Sequence, residues 1–180
     1  MSITVRRPIH HYSPTREIRW RRRSILGIIL LVSAVLQGAG AGAGILFHFR
    51  PDLVLIAVVC WSLREGPRGG WWAGAAGGIL SDLFSAGILG ANALSLAAAG
   101  WLAALASRSL YRGHLSTRIL MVAFAALVSG AIYYLLLVLF RSPPAWPDAW
   151  RRILWPRLWQ TTLISPLWLI PVDRLLGGRR

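Results

Sequence analysis

Runs of apolar residues, separated by short polar or basic stretches, follow one another along almost the whole chain. A helix needs about 20 mainly apolar residues to cross a bilayer, so this pattern predicts transmembrane helices. The predicted spans are about 24–47, 51–63, 69–84, 90–107, 119–140 and 158–176, between a basic tail (1–23) and a short end (177–180). We therefore expect an all-α integral membrane protein, a bundle of about six transmembrane helices.

The second and third predicted spans, 51–63 and 69–84, are each short for a full crossing. Between them the residues Arg64-Glu65-Gly66-Pro67-Arg68 predict a tight turn. Two full crossings and a re-entrant hairpin are both compatible with this pattern. Either arrangement leaves the chain on the same side of the membrane after residue 84.

Composition supports the membrane interpretation. Hydrophobic residues make up 56% of the 180 residues and charged residues 14%, and the mean hydropathy is +0.55. A soluble domain carries about 25% charged residues. The net charge of +14 is also compatible with nucleic-acid binding, but most of the arginines lie at the edges of apolar runs. We therefore expect lipid contacts and no nucleic-acid partner.

The distribution of arginine predicts the orientation, because cytoplasmic loops are enriched in basic residues. With both termini in the cytoplasm, the inner segments contain fifteen arginines. The outer segments then contain five, namely Arg50, Arg141, Arg151, Arg152 and Arg157. Both termini are therefore predicted to be cytoplasmic. The outer segment 141–157, which combines prolines with Trp146, Trp150 and Trp155, is predicted to lie along the membrane surface.

Glycines recur every fourth residue along the third predicted span. Residues four apart share one face of a helix, so these glycines form a groove, with an aspartate at its end. Such a groove permits close contact with another helix, either within the chain or from a partner. Within the chain, we expect the Gly/Ala-rich end of the first span to fill it. The residues concerned are Gly66, Gly70, Gly74, Gly78 and Asp82.

Asp82 interrupts an apolar stretch near the end of a predicted helix. A carboxylate in a membrane is costly and is disfavoured at a helix C-terminus. The alternatives are an interfacial residue exposed to water and a residue with a basic partner, for which Arg50 lies on the same predicted side.

The sequence contains no recognisable catalytic or metal-binding grouping. Cys60 is the only cysteine, and the four histidines are scattered. No Ser-His-Asp arrangement and no His-Glu-x-x-His motif is present. We therefore expect neither an enzyme nor a bound cofactor or metal.

Four stretches together resemble the rod shape-determining protein MreD family. They read RPDLVL at 50–55, REGPRG at 64–69, GGILSDLFS at 77–85 and LGANAL at 89–94. The motif residues outside the glycine face are Arg50, Pro51, Asp52, Leu89, Gly90, Asn92 and Leu94. The basic tail and the tryptophan-rich segment 141–159 are not part of the motif.

The resemblance implies a non-enzymatic component of the bacterial elongation machinery in the cytoplasmic membrane. It implies an MreC-like bitopic membrane protein as partner, with RodA, a class B penicillin-binding transpeptidase and MreB filaments nearby. It also implies a fold similar to the substrate-binding subunits of vitamin transporters. The alternative function is a small-molecule transporter or its substrate-binding subunit, which the six predicted spans and a possible polar cluster of Arg50, Asp82 and Asn92 suggest.

Overall fold

The computed structural model describes residues 16–42, 51–85, 87–108, 115–140 and 146–175. These residues are almost entirely helical and include no β-strand. The expected all-α fold is thereby confirmed. The helices are α1 (Arg16–Gly42), α2 (Leu53–Leu83), α3 (Ala91–Ala106), α4 (Leu115–Phe140), α5 (Trp146–Ala149) and α6 (Trp155–Leu175), with a π-helical turn (Trp150–Leu154) between the last two.

Helix α2 is a helical hairpin that turns at Gly66. This residue has φ 81° and ψ −172°, a conformation essentially restricted to glycine, and Pro67 follows it as a favourable first helical residue. The two halves, 53–65 and 67–83, return alongside each other. A Cβ atom built on Gly70 would lie 2.7 Å from the Cβ atom of Ser62, and one built on Gly77 would lie 2.8 Å from Val54 Cγ1. The turn falls within the stretch 64–68 that the sequence predicts as a turn.

The first half of α2 lies at the centre of the molecule. Every residue from Val54 to Ser62 is buried, so this half has no exposed face. A helix that is apolar all round is buried on all sides. Residues of α1, α3, α4 and α6 complete the same hydrophobic core, with Leu30, Leu96, Val122 and Leu169 among the most deeply buried side chains.

Within the described residues, one helix is long and apolar enough by length and composition to cross a membrane. This helix is α4, with a mean hydropathy of 2.3, whereas the apolar segments Ser24–Gly38 and Ala91–Ala106 are shorter. The two halves of α2 are roughly 20 Å and 26 Å long at 1.5 Å per residue. The hydrocarbon core of a bilayer is about 30 Å thick. Six membrane crossings therefore stay a prediction.

The first helix begins earlier than the pattern predicts. Helix α1 starts at Arg16, so residues 16–23 of the predicted basic tail are helical. Arginine, glutamate and isoleucine all tolerate the helical conformation, and the apolar pattern does not detect a polar first turn. On the buried side of α1 lie Leu26, Ile29, Leu30 and Ala34, and its other side exposes apolar residues.

Helix α6 continues through two prolines, Pro166 and Pro171. Proline has no N–H, so a proline in a helix leaves the carbonyl four residues earlier without its usual donor. For Pro166 that carbonyl belongs to Thr162, and the Ser165 hydroxyl donates a hydrogen bond to it at 2.7 Å. A neighbouring serine therefore replaces the missing backbone donor.

The tryptophan-rich segment is helical where the structure describes it. Trp146 contacts Tyr134 of α4 edge-to-face, with ring centroids 4.9 Å apart. The rings of Trp146, Trp150 and Trp155 then follow at centroid distances of 6.2 Å and 6.3 Å. This row of rings anchors the start of α6 to the end of α4. Its predicted position at the membrane surface stays a prediction.

Candidate functional site

Two buried carboxylates, Asp52 and Asp82, mark the two ends of the hairpin. Asp52 is 2% exposed and Asp82 is 3% exposed. Because the hairpin reverses direction at Gly66, its first and last residues lie at the same end of the molecule. The acidic motif residues thus share one end of the bundle, and the turn with Arg64, Glu65 and Arg68 lies at the other.

Asp52 caps α2 and joins it to α6. Its side chain accepts a hydrogen bond from the Leu55 backbone N–H at 3.0 Å, which is the usual role of an N-cap aspartate. Its backbone N–H donates to the buried Thr161 hydroxyl at 3.0 Å. Its second carboxylate oxygen forms an ion pair with the Arg157 guanidinium. The Asp52 side chain therefore accepts a hydrogen bond from a free backbone N–H group in the first turn of α2. It also links this turn to the beginning of α6.

Asp82 caps a helix other than its own. Its carboxylate accepts hydrogen bonds from the backbone N–H groups of Gly90 (2.9 Å), Asn92 (3.3 Å) and Ala93 (3.2 Å), and from the Asn92 side-chain amide (2.9 Å). The N-cap residue of α3 is Gly90, which has φ 88° and no side chain to cap the helix. Asp82 therefore supplies the oxygen atoms that an N-cap side chain usually provides.

This arrangement also explains why a carboxylate is tolerated near the C-terminus of α2. The positive end of the α3 dipole and four donated hydrogen bonds stabilise its charge. In the described residues, helix α3 takes the place of the basic partner that the sequence suggests. Arg50, the proposed basic partner, lies outside the described residues.

The glycine face of α2 packs against α3. A Cβ atom on Gly74 would lie 2.3 Å from the carbonyl oxygen of Leu96, and one on Gly78 would lie 2.3 Å from the Cα atom of Ala93. At Gly70 it would lie 2.6 Å from the carbonyl oxygen of Gly100. These are backbone atoms, so no side chain larger than hydrogen fits. The groove is filled from within the chain.

The expectation that the end of the first span fills this groove is wrong for these three glycines. The contacting helix is α3, whose small residues permit the same close approach. Sequence alone does not distinguish two Gly/Ala-rich helices as neighbours of one face. The prediction that Gly66 belongs to the same groove is also wrong, since Gly66 forms the hairpin turn and has no atom within 4 Å of its Cβ position.

The remaining motif residues have simpler positions. The Pro51 carbonyl accepts a hydrogen bond from the Leu53 N–H at 3.2 Å, beside the cap of α2. Leu89 and Leu94 are exposed on either side of the capped turn of α3. Asn92 is the motif residue that reasoning from sequence placed correctly near Asp82, and the structure shows a direct hydrogen bond between them.

Three residues with defined contacts were not singled out from the sequence. Arg157 and Thr161 bind Asp52, although they lie more than 100 positions away along the chain. Gly100 is the close counterpart of Gly70 on α3. Gly100 could have been noticed as an isolated glycine in an alanine-rich helix. No local signal connects Arg157 with Asp52.

The carboxylates of the candidate site are used for structural contacts. No group of three or more His, Cys, Asp or Glu residues among them could bind a metal ion. Asp52 and Asp82 are both engaged in capping and in helix contacts, so their oxygen atoms are directed at backbone amides and Arg157. Both carboxylates thus stabilise helix ends and contacts between helices.

Fold and site together define a helical bundle built around a central hairpin, with two buried aspartates that fix its ends. The family model described as rod shape-determining protein MreD matches residues 19–176. The chain therefore belongs to the MreD family, as the motif resemblance predicts. No curated protein and no solved structure matches the chain significantly. Membership of this family supports a role in determining rod shape and a membrane location.

Proposed function

We propose that this chain is a multi-pass, non-catalytic scaffold of the elongation machinery in the bacterial cytoplasmic membrane, and that it binds an MreC-like bitopic protein. The observation that carries the proposal is the use of both buried aspartates. Buried carboxylates in membrane proteins usually belong to ion pathways or ligand sites. Here both stabilise the ends of helices, which suits a rigid frame for other proteins.

A surface for the partner's helix is proposed from the faces that the chain's own helices leave exposed. The glycine groove is occupied by α3, so a partner needs another surface. Helix α1 packs mainly on α2, and its opposite face exposes a continuous apolar stripe. The stripe comprises Gly27, Ile28, Leu31, Val32, Val35 and Leu36. We propose that the MreC-like transmembrane helix packs on this stripe, close to Gly27.

Gly27 provides a selective test of this surface. A Cβ atom at Gly27 meets nothing within 4 Å, so a larger side chain there disturbs no contact within the chain. A partner helix packed on Gly27 would clash with leucine, at a cost of about 1–3 kcal/mol. That cost corresponds to roughly a 5- to 150-fold loss of affinity.

The experiment is copurification from native membranes in mild detergent, with an affinity tag after Arg180. The wild-type chain should recover an MreC-like partner, and Gly27→Leu should recover at least about fivefold less at equal membrane levels. Ala131→Leu, which enlarges an exposed residue of α4, is the matched control and should recover the partner normally. If the wild-type chain recovers no such partner, the scaffold proposal is wrong. If both variants recover it equally, the α1 surface is wrong.

RodA, the class B transpeptidase and MreB are proposed to join through this partner or through the ends of the bundle. The alternative of a small-molecule transporter subunit has no supporting observation. The polar groups that it requires, Asp82 and Asn92, bond to each other and to the first turn of α3. A transporter site requires polar groups that converge on a ligand cavity near the bilayer midplane.

A further inference from the structure

At the turn end of the hairpin, three tryptophans and one arginine line an open cleft of about 250 Å³. The residues are Arg68, Trp71 and Trp72 of α2 and Trp101 of α3. A water molecule needs roughly 10–15 Å³ of such space, so this cleft accommodates a much larger group. It belongs neither to the aspartate sites nor to the proposed partner surface on α1.

The cleft forms because the two helices approach very closely beside it. Gly70 and Gly100 lie in backbone contact, and their chain neighbours Trp71 and Trp101 carry large rings on either side. Both rings remain well exposed, at 41% and 42%, and Trp72 is 74% exposed. Three indole rings exposed at one place form an apolar surface with N–H donors at its edge.

Arg68 provides the charge of the cleft. It lies in the first turn of the helix 67–83, so the positive end of the helix dipole adds to its guanidinium charge. In the part of the chain that the structure describes, no carboxylate pairs with Arg68. A positive, hydrogen-bond-donating head next to an apolar aromatic wall suits a ligand with an anionic oxygen group and a hydrocarbon tail.

We propose that this cleft binds the headgroup of an anionic phospholipid of the cytoplasmic leaflet. The proposal rests on the proposed membrane function, because the arginine distribution then places the hairpin turn on the cytoplasmic side. The phosphate accepts hydrogen bonds from Arg68, and the upper acyl chain lies along the tryptophan rings. Tryptophan and arginine are the residues that prefer this depth of a membrane.

The test is native mass spectrometry of the purified full-length chain in detergent. The chain is titrated with phosphatidylglycerol or with phosphatidylcholine of identical acyl chains. The wild-type chain should retain one phosphatidylglycerol at concentrations where phosphatidylcholine is not retained. Arg68→Gln should weaken this binding by about fivefold, the contribution of one basic residue near an anionic membrane surface. Trp72→Ala, at a position too exposed to support the fold, should also weaken it.

Arg108→Gln is the matched control, since Arg108 is exposed at the end of α3 and does not line the cleft. It should bind phosphatidylglycerol as the wild-type chain does. The proposal is overturned if Arg68→Gln and Arg108→Gln bind equally, or if phosphatidylcholine binds as well as phosphatidylglycerol. It is also overturned if inorganic phosphate or an acidic peptide alone displaces the lipid, because either result assigns a different occupant.

The copurification experiment separates this proposal from the scaffold function. Arg68→Gln should still recover the MreC-like partner. Recovery of the partner without selective lipid binding would refute the lipid site only. Selective lipid binding by a chain that recovers no partner would refute the scaffold function only.

Discussion

Asn92 donates hydrogen bonds from both its backbone amide and its side-chain amide to a single carboxylate oxygen of Asp82, at 3.3 Å and 2.9 Å. The other carboxylate oxygen accepts the N–H groups of Gly90 and Ala93. The last turn of the hairpin therefore fixes the first turn of the next helix. Two separate motif stretches, GGILSDLFS and LGANAL, form one structural unit.

Removing the Asp82 carboxylate should destabilise the protein. Asp82→Ala leaves the partly buried backbone amides in the first turn of α3 without their protein acceptor, at a total cost of about 1–3 kcal/mol. Asp82→Asn retains one oxygen acceptor and should cost less. We expect the thermal unfolding midpoint in detergent to fall in the order wild type, Asp82→Asn, Asp82→Ala. Glu65→Gln, an exposed substitution at the hairpin turn, is the control and should unfold as the wild type does.

If Asp82→Ala unfolds at the same temperature as Glu65→Gln, the carboxylate does not stabilise α3.

At Asp52, capping and ion pairing can be measured separately. Asparagine is as good an N-cap as aspartate, so Asp52→Asn retains the cap and loses the ion pair with Arg157. Asp52→Ala loses both, so it should be the less stable variant. Since Asp52 and Arg157 are in direct contact, Asp52→Asn and Arg157→Gln should be non-additive by about 0.5–3 kcal/mol in the free energy of unfolding. Strictly additive effects would show that the pair contributes nothing.

The glycine face should not tolerate even one extra carbon atom at its centre. Gly74→Ala places its Cβ atom 2.3 Å from the Leu96 carbonyl oxygen, so α2 and α3 have to separate. Overpacking of this kind costs about 1–3 kcal/mol and should lower the yield of folded protein. Gly27→Ala, in the open stripe of α1, should be neutral or slightly stabilising because alanine favours the helix. Equal folded yields from the two variants would contradict the close contact between α2 and α3.

The orientation of the chain in the membrane can be tested with reporter fusions. Reporter fusions at Arg180 and within 141–157 should report the cytoplasm and the outside, respectively, because arginines are concentrated in the predicted inner segments. The fused proteins should be present at equal levels in the membrane fraction. A report of the same compartment from both positions would contradict the six-span bundle.

Sequence patterns predict the parts of this fold that depend on local chemistry. The turn at 64–68 follows from glycine and proline in characteristic positions, and α3 begins within one residue of the predicted start of the fourth span at 90. The glycine spacing correctly predicts a surface of close helix contact. Each of these signals lies within a few residues along the chain.

The pattern does not identify which helices pack together. Gly74 fits any helix with small residues, and the sequence offers two, so the choice of α3 depends on the whole bundle. The pair of Asp52 with Arg157 depends on how α6 packs against the hairpin. Arg157 is one of the five arginines in the predicted outer segments. In the sequence it therefore serves as evidence for membrane orientation, and nothing there marks it as the partner of a buried aspartate. Pairings at long range require the three-dimensional structure.

Complementation of cell shape tests the scaffold account most directly. In the chain's own host, depleted of this protein, expression of the wild-type chain should restore rod-shaped cells. Glu65→Gln, a control at an exposed position outside α1, should restore rods as well. Gly27→Leu should leave the cells rounded at normal membrane levels, because the fold is intact and partner binding is weakened. Rod-shaped cells with Gly27→Leu would exclude the α1 surface, and rounded cells with the wild-type chain at normal membrane levels would contradict the central claim.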